Sequence, residues 1–190
     1  SDVKGVLGDE YTLFITYDGQ EYKSSSQKMN AVTPIDSILN FHQEELTAGP
    51  FLQEAYFAAI EFTESGETQG DVYRWKLYVN DTLQTGPENI TVETDENLQN
   101  GVQFVEDDFL FQSRPLRAGD KVYVEQMAIT ADAGQFWLEV NSQASNSGGP
   151  FDTPPAPIQG NIININNDKD VILGFFGTEN VVSSLSLIHI

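Results

Sequence analysis

The 190-residue chain contains no cysteine. Disulfides, thiolate metal sites and cysteine nucleophiles are excluded with it. Histidine occurs only as His42 and His189, so a zinc site built from three or four His or Cys ligands is excluded by count. Basic residues are also scarce. Nine Lys and Arg stand against 29 Asp and Glu, a formal net charge of −20. Such a surface repels phosphate backbones and anionic lipid, which argues against nucleic-acid binding through a basic patch. No stretch approaches the roughly 20 apolar residues that span a bilayer as a helix. Neither G-x-x-x-x-G-K-[ST] nor G-x-G-x-x-G occurs, so phosphate cradling by those loops has no support.

What the chain does contain is apolar residues at strand spacing. Hydrophobic residues make up 39% and aromatics 11%, enough for the core of one domain. Tyr11, Leu13, Ile15 and Tyr17 alternate with Thr12, Phe14 and Thr16. Asp18-Gly19 follows as a two-residue hairpin turn, because glycine accepts a positive φ, and Gln20 to Ser24 returns. A two-stranded hairpin alone is barely stable in water. Residues 1–30 are therefore expected to be the last hairpin of a preceding β-sandwich domain. Pro34, which removes a ladder donor, fits an edge or the start of a strand near Ser37-Ile38. Tyr56, Ala58, Ile60 and Phe62 alternate, as do Tyr73, Trp75, Leu77 and Val79, the latter ended by the turn pair Asn80-Asp81.

Gln103 to Phe111 is apolar around Glu106-Asp107-Asp108, and Arg117 to Asp120 is a turn leading into a strand over Lys121 to Ile129. The period then changes. Ala133, Phe136, Trp137, Val140 and Ala144 follow helical spacing near 130–144, with Thr130 as cap and Asp132 at the positive end. Gly134 weakens that helix by about 1 kcal/mol relative to alanine. Ser145 to Pro157 is irregular. Ile163 and Ile165 suggest a short strand, and the apolar run Val171 to Phe176 a buried one. About eight strands and one helix predict a mainly β fold, an antiparallel β-sandwich with one covering α-helix, over residues 31–184. The segment 185–190 reads as a translated sequencing-adapter artefact rather than an ordinary apolar strand and is set aside. His189 goes with it.

A Ser-His-Asp triad has only His42 to draw on, with no nucleophile motif beside it, so a surface histidine is expected there. The binding candidates are Asp107, Asp108 and Asp120. Asp107 and Asp108 are also weak calcium candidates, since two carboxylates between apolar runs call for a counterion, a proton or water. Asn164 to Asp170 is rich in oxygen donors but lacks the glycine and the placed glutamate of an EF-hand loop, and reads as a polar turn. Trp75 and Trp137 could stack on a sugar, but both lie on regular apolar faces and core packing is expected. Asn80-Asp81-Thr82 and Asn89-Ile90-Thr91 match the glycosylation pattern and are read as turns. No cofactor is expected.

Several segments together resemble a Bacteroidota family known as domain of unknown function 4249. They are Gly8-x-x-Tyr11-x-Leu13-x-Ile15, Met29 through Pro34-Ile35-Asp36-Ser37-Ile38, Tyr73-Arg74-Trp75, Asp107-Asp108 and Gly119-Asp120-x-Val122. Gly149-Pro150-Phe151, Pro154-Pro155, Gly160-Asn161-Ile162 and Leu173-Gly174-Phe175-Phe176 complete the set. Members look like outer-membrane lipoproteins, often encoded beside TonB-dependent transporters. The resemblance implies a lipid anchor and an immunoglobulin-like domain upstream of Ser1, and the family has no established activity from which catalytic residues could be carried over. The expected function is a non-enzymatic cell-envelope module that partners a TonB-dependent transporter. The alternatives are a carbohydrate-active hydrolase using paired carboxylates and a structural or adhesive β-module.

Overall fold

The computed structural model describes residues 4–43, 55–64, 68–95, 103–106, 116–146, 155–167 and 172–187, with backbone alone at 41–43, 55–57 and 103–106. Its strands are β1 (Glu10–Tyr11), β2 (Phe14–Tyr17), β3 (Gln20–Ser24), β4 (Gln27–Lys28), β5 (Ser37–Gln43), β6 (Ala55–Thr63), β7 (Val72–Val79), β8 (Thr82–Leu83), β9 (Thr91–Thr94), β10 (Gln103–Glu106), β11 (Lys121–Ile129), β12 (Ile162–Asn164) and β13 (Asn180–Leu187). The one α-helix among the described residues is α1 (Ala131–Ser145), and a single 3-10 turn spans Pro87–Asn89. The fold is mainly β, as the alternation predicts, and every strand pairing among the described residues is antiparallel. The surplus over the expected eight strands comes partly from two-residue pieces too short to show a period.

Two sheets form the sandwich. One runs β10-β6-β5; the other runs β13-β11-β7-β8, with β9 also on β7. Their facing sides interlock in a single core. Ala58, Ile60 and Phe62 come from β6, Tyr73, Trp75, Leu77 and Val79 from β7, and Val122 and Val124 from β11. The period-2 pattern of β7 is what turns the odd-numbered residues toward this core. Trp75 packs against Phe62 and Tyr73, each at 6.2 Å between ring centroids, and donates from Nε1 to Gln126 Oε1 at 2.9 Å. It is a core residue, not a sugar platform.

The opposite face of the second sheet is only partly covered. Val72, Met127 and Ile129 are buried there beneath Ala133 and Trp137 of α1. Burial along β7 is continuous over its first four residues and then intermittent, which marks where the helix ends its cover. Thr130 caps α1 through its side chain, accepting from Ala133 N at 3.3 Å, and Asp132 occupies the first turn. Gly134 packs closely on the sheet: a Cβ there would meet Val72 Cγ1 at 2.8 Å. The glycine that weakens the helix in isolation is what allows it to dock.

Both predicted hairpin turns carry consecutive positive φ values, 48° and 72° at Asp18-Gly19 and 51° and 63° at Asn80-Asp81. The N-terminal hairpin does not stand alone. β12 pairs with β3 to give a third strand, Asn30 Nδ2 donates to Ile129 O at 3.0 Å, and Thr178 Oγ1 to Lys28 O at 2.7 Å.

The apolar run at Val171 to Phe176 is not a buried strand over its described part. Residues 172–176 carry no ladder, and Leu173 is 81% exposed. Asn161 takes the place of a neighbouring strand. Its side chain donates to Phe176 O and accepts from Phe176 N, both at 2.8 Å, while its own N–H donates to Gly174 O at 3.1 Å. With the backbone satisfied in this way, Phe175 stacks on Phe136 at 4.8 Å. Residues 185–187, set aside on sequence grounds, extend the β13 ladder onto Tyr123, Val122 and Lys121.

Candidate functional site

Of the acids singled out by sequence, Asp107 and Asp108 lie outside the described residues. Asp120 is buried and closes turns. Its Oδ2 accepts from Arg117 N at 2.8 Å and its Oδ1 from Asn80 Nδ2 at 2.8 Å. That lashes the turn before β11 to the β7–β8 turn, a structural task that leaves the carboxylate engaged on both oxygens. Asn164 ends β12, where its Oδ1 accepts from Asn166 N at 2.9 Å and its Nδ2 donates to Gln20 Oε1 at 3.4 Å, while Asp168 and Asp170 fall outside the described residues. His42 is on β5 opposite Tyr56, with only its backbone described.

The structure instead brings together three acids that sequence reasoning passed over. Glu64 follows β6, Asp71 precedes β7, and Asp95 follows β9. Oxygen atoms from the three converge to within 4.8 Å of one another. Glu64 is 3% exposed and Asp95 2%, whereas Asp71 is half-buried. Gly70, at φ 83°, turns its N–H onto Asp95 Oδ1 at 2.6 Å. Tyr73 donates its hydroxyl to Glu64 Oε1 at 2.6 Å and faces Thr33 Oγ1 at 3.1 Å. Thr68 donates to Asp71 Oδ2. Glu64 Oε2 and Asp95 Oδ2 remain buried with no hydrogen-bond partner among the described residues.

The electrostatics follow from that crowding. Burial pushes the Glu64 carboxyl above the usual glutamate range, and the charges of Asp95 and Asp71 push the same way against the Tyr73 hydrogen bond. Burial also raises the Tyr73 phenol, with the Glu64 bond adding to it, so Tyr73 stays a protonated donor. Three convergent carboxylates can hold a proton between them or share a hard cation.

A second feature lies on the other face of β7. There Arg74, Lys76, Leu83, Pro87, Ile90 and Ala144 help line an open cleft of about 360 Å³ between the sheet, the 83–90 loop and the end of α1. Asn141 Nδ2 donates to Ile90 O at 3.0 Å and fixes the helix to that loop. Arg74 is largely buried, its guanidinium 3.6 Å from the Trp137 ring centroid. Glu179 approaches Arg74 Nη1 at 3.6 Å and Lys76 Nζ at 3.8 Å. Burial holds the Arg74 guanidinium below its ordinary value while Glu179 opposes the shift. Arg74 Nε has no hydrogen-bond partner among the described residues.

The cationic cleft was half legible in the sequence, because Arg74 and Lys76 occupy the phase of β7 opposite to Tyr73, Trp75 and Leu77. For the acid cluster, Glu64 and Gly70-Asp71 flank one strand-to-strand turn and could have been paired. Asp95 could not, since it arrives through the pairing of β9 on β7, with Thr94 opposite Val72.

A protein-family model described as Domain of unknown function (DUF4249) matches residues 2–184, and the chain belongs to that family. No curated protein and no solved structure matches the chain.

Proposed function

We propose that this member of the DUF4249 family is a non-catalytic binding module of the cell envelope, held at the outer membrane by a lipid anchor and acting beside a TonB-dependent transporter. The observation that supports the binding half is the cleft. Two of the chain's nine basic residues face it, in a molecule of net charge −20. Its walls are otherwise largely apolar, and its one deeply placed cation, Arg74, keeps an unused donor. Such a site suits a ligand or partner segment with an anionic head and an apolar body, which would take over from Glu179 as the counterion. The envelope half is supported by the lipoprotein-like character that the family resemblance implies.

The acid cluster does not favour the rival reading as a paired-carboxylate hydrolase. One oxygen from each acid lies within 4.8 Å of the other two, and Glu64 and Asp95 are buried rather than set on the walls of an open cleft. A glycosidase places its two carboxyl groups about 5–10 Å apart across an open cleft.

The test is a pull-down of the tagged, lipidated full-length protein from detergent-solubilised outer membranes. A TonB-dependent transporter should be recovered in stable amount and lost when this domain is deleted. Lys76→Glu, at the half-exposed rim of the cleft, should reduce the recovery while leaving the circular dichroism spectrum unchanged. Recovery of nothing beyond lipoprotein-processing factors would overturn the transporter reading and move weight to a free-standing adhesive module.

A further inference from the structure

We infer that Glu64, Asp71 and Asp95 form a binding site for a hard divalent cation, calcium by its three-carboxylate donor set, which ties the two sheets of the sandwich together at one end. This site is independent of the cleft. Three observations carry it.

The first is spacing. Three atoms no more than 4.8 Å apart share a point within about 2.8 Å of all of them, which admits the 2.3–2.6 Å of calcium–oxygen bonds, and three carboxylates suit calcium better than magnesium, which keeps several waters and takes one or two. All three donors are carboxylates, which excludes a preference for soft metals. The second is the pair of buried oxygens, Glu64 Oε2 and Asp95 Oδ2, with no hydrogen-bond partner among the described residues. A buried unpaired carboxylate oxygen is costly and native proteins rarely keep one. Here two belong to the same cluster, and no Lys or Arg among the described residues forms an ion pair with it. The third is placement. Glu64 belongs to the end of one sheet, while Asp71 and Asp95 flank paired strands of the other. A shared ion would bridge sheets that otherwise meet here through the Tyr73–Glu64 hydrogen bond. Asp71 is the half-buried member, so solvent can reach the remaining coordination positions from its side.

Binding can be read by terbium luminescence and by melting. Tyr73, bonded to Glu64, and Trp75, 6.2 Å from Tyr73, are placed to sensitise a terbium ion in the site. Excitation at the aromatic band should give terbium emission that calcium displaces. Calcium at about a hundredfold excess over its Kd should raise Tm by about 5–10 °C, and magnesium at the same concentration by much less. Asp71→Asn should weaken calcium binding about tenfold or more while leaving the calcium-free Tm near that of the wild type. Glu64→Gln serves as the second variant, since it keeps the shape of the side chain and removes one charge. An unchanged Tm at millimolar calcium would overturn the proposal. So would an equal calcium response in the wild type and both variants, which would mean diffuse binding to an acidic surface. If the wild type ignores calcium and Glu64→Gln alone stabilises it, the cluster holds a shared proton and the cation site is refuted.

Discussion

Gly134→Ala sets two effects of known sign against each other. In an exposed helix interior, the change to alanine stabilises by about 0.8–1.0 kcal/mol, because glycine loses more backbone freedom on folding. At this position the new methyl would lie 2.8 Å from Val72 Cγ1 and 3.4 Å from Val92 Cγ1. Carbon atoms pack best at about 3.5–4.0 Å, so the first contact must open by roughly 0.7 Å. Val72 is buried on β7 and has no flexible end to move aside. Turning it off its rotamer costs about 0.5–1.5 kcal/mol. Lifting α1 instead would loosen Ala133 and Trp137 over Met127 and Ile129. Overpacking of this kind costs about 1–3 kcal/mol, which exceeds the gain in helix propensity. The expected net loss is about 1 kcal/mol, a Tm lower by about 2–4 °C, measured by circular dichroism melts and urea titration. In a Val72→Ala background the same substitution should stabilise by close to its full propensity value. That reversal of sign is the test: if Gly134→Ala raises Tm by itself, the helix does not approach the sheet as closely as described, and the reasoning fails.

Two other substitutions and a pH change follow from the same packing. Trp75→Phe strands the Gln126 Oε1 acceptor inside the core and should cost about 1–3 kcal/mol plus the lost ring packing, seen as a lower urea midpoint. Trp137→Phe keeps an aromatic face under Arg74 and should cost less than about 1 kcal/mol; equal losses at the two tryptophans would refute the difference drawn between them. Glu139 accepts from Gln135 Nε2 at 3.0 Å and from Gln159 N at 2.9 Å, which lowers its carboxyl below the usual glutamate range. A lowered folded-state value stabilises above the unfolded value and is lost as pH falls through the folded one. Amide exchange at Gln159 should therefore accelerate, beyond its intrinsic pH dependence, as pH drops below about 4.5. Glu139→Gln should abolish that acid-dependent step.

Local patterns were legible wherever a residue's neighbours in sequence are also its neighbours in space. The faces of β7 and β11, the turns at Asp18-Gly19 and Asn80-Asp81 and the capped helix all follow from spacing of a few residues. The run at Val171 to Phe176 misled because hydrophobic content does not say how backbone polar groups are satisfied. The Asn161 side chain does so here, across 15 residues of sequence. Asp120 was singled out for its acidity, yet its role depends on Asn80, 40 positions away. The cluster of Glu64, Asp71 and Asp95 was missed for a related reason: no acidic motif announces it, and long-range strand pairing assembles it.

The two candidate sites meet at one strand, and the pleat of β7 keeps them apart. Tyr73 points into the sandwich and holds Glu64; Arg74, one residue on, points to the opposite face and holds Glu179. The sequence Tyr73-Arg74-Trp75, on which part of the family resemblance rests, therefore joins both sites through adjacent residues while giving them separate environments. Any coupling between them has to move the β7 backbone itself, since no side chain reaches both faces of a sheet. That backbone is paired along its length with β11 and packed on both sides over its first half. Close-packed interiors of this kind shift between discrete arrangements rather than deform gradually. A cation at the acid cluster should accordingly stabilise the sandwich without altering affinity at the cleft, and the cleft's own specificity rests on Arg74, Lys76 and the loop they face.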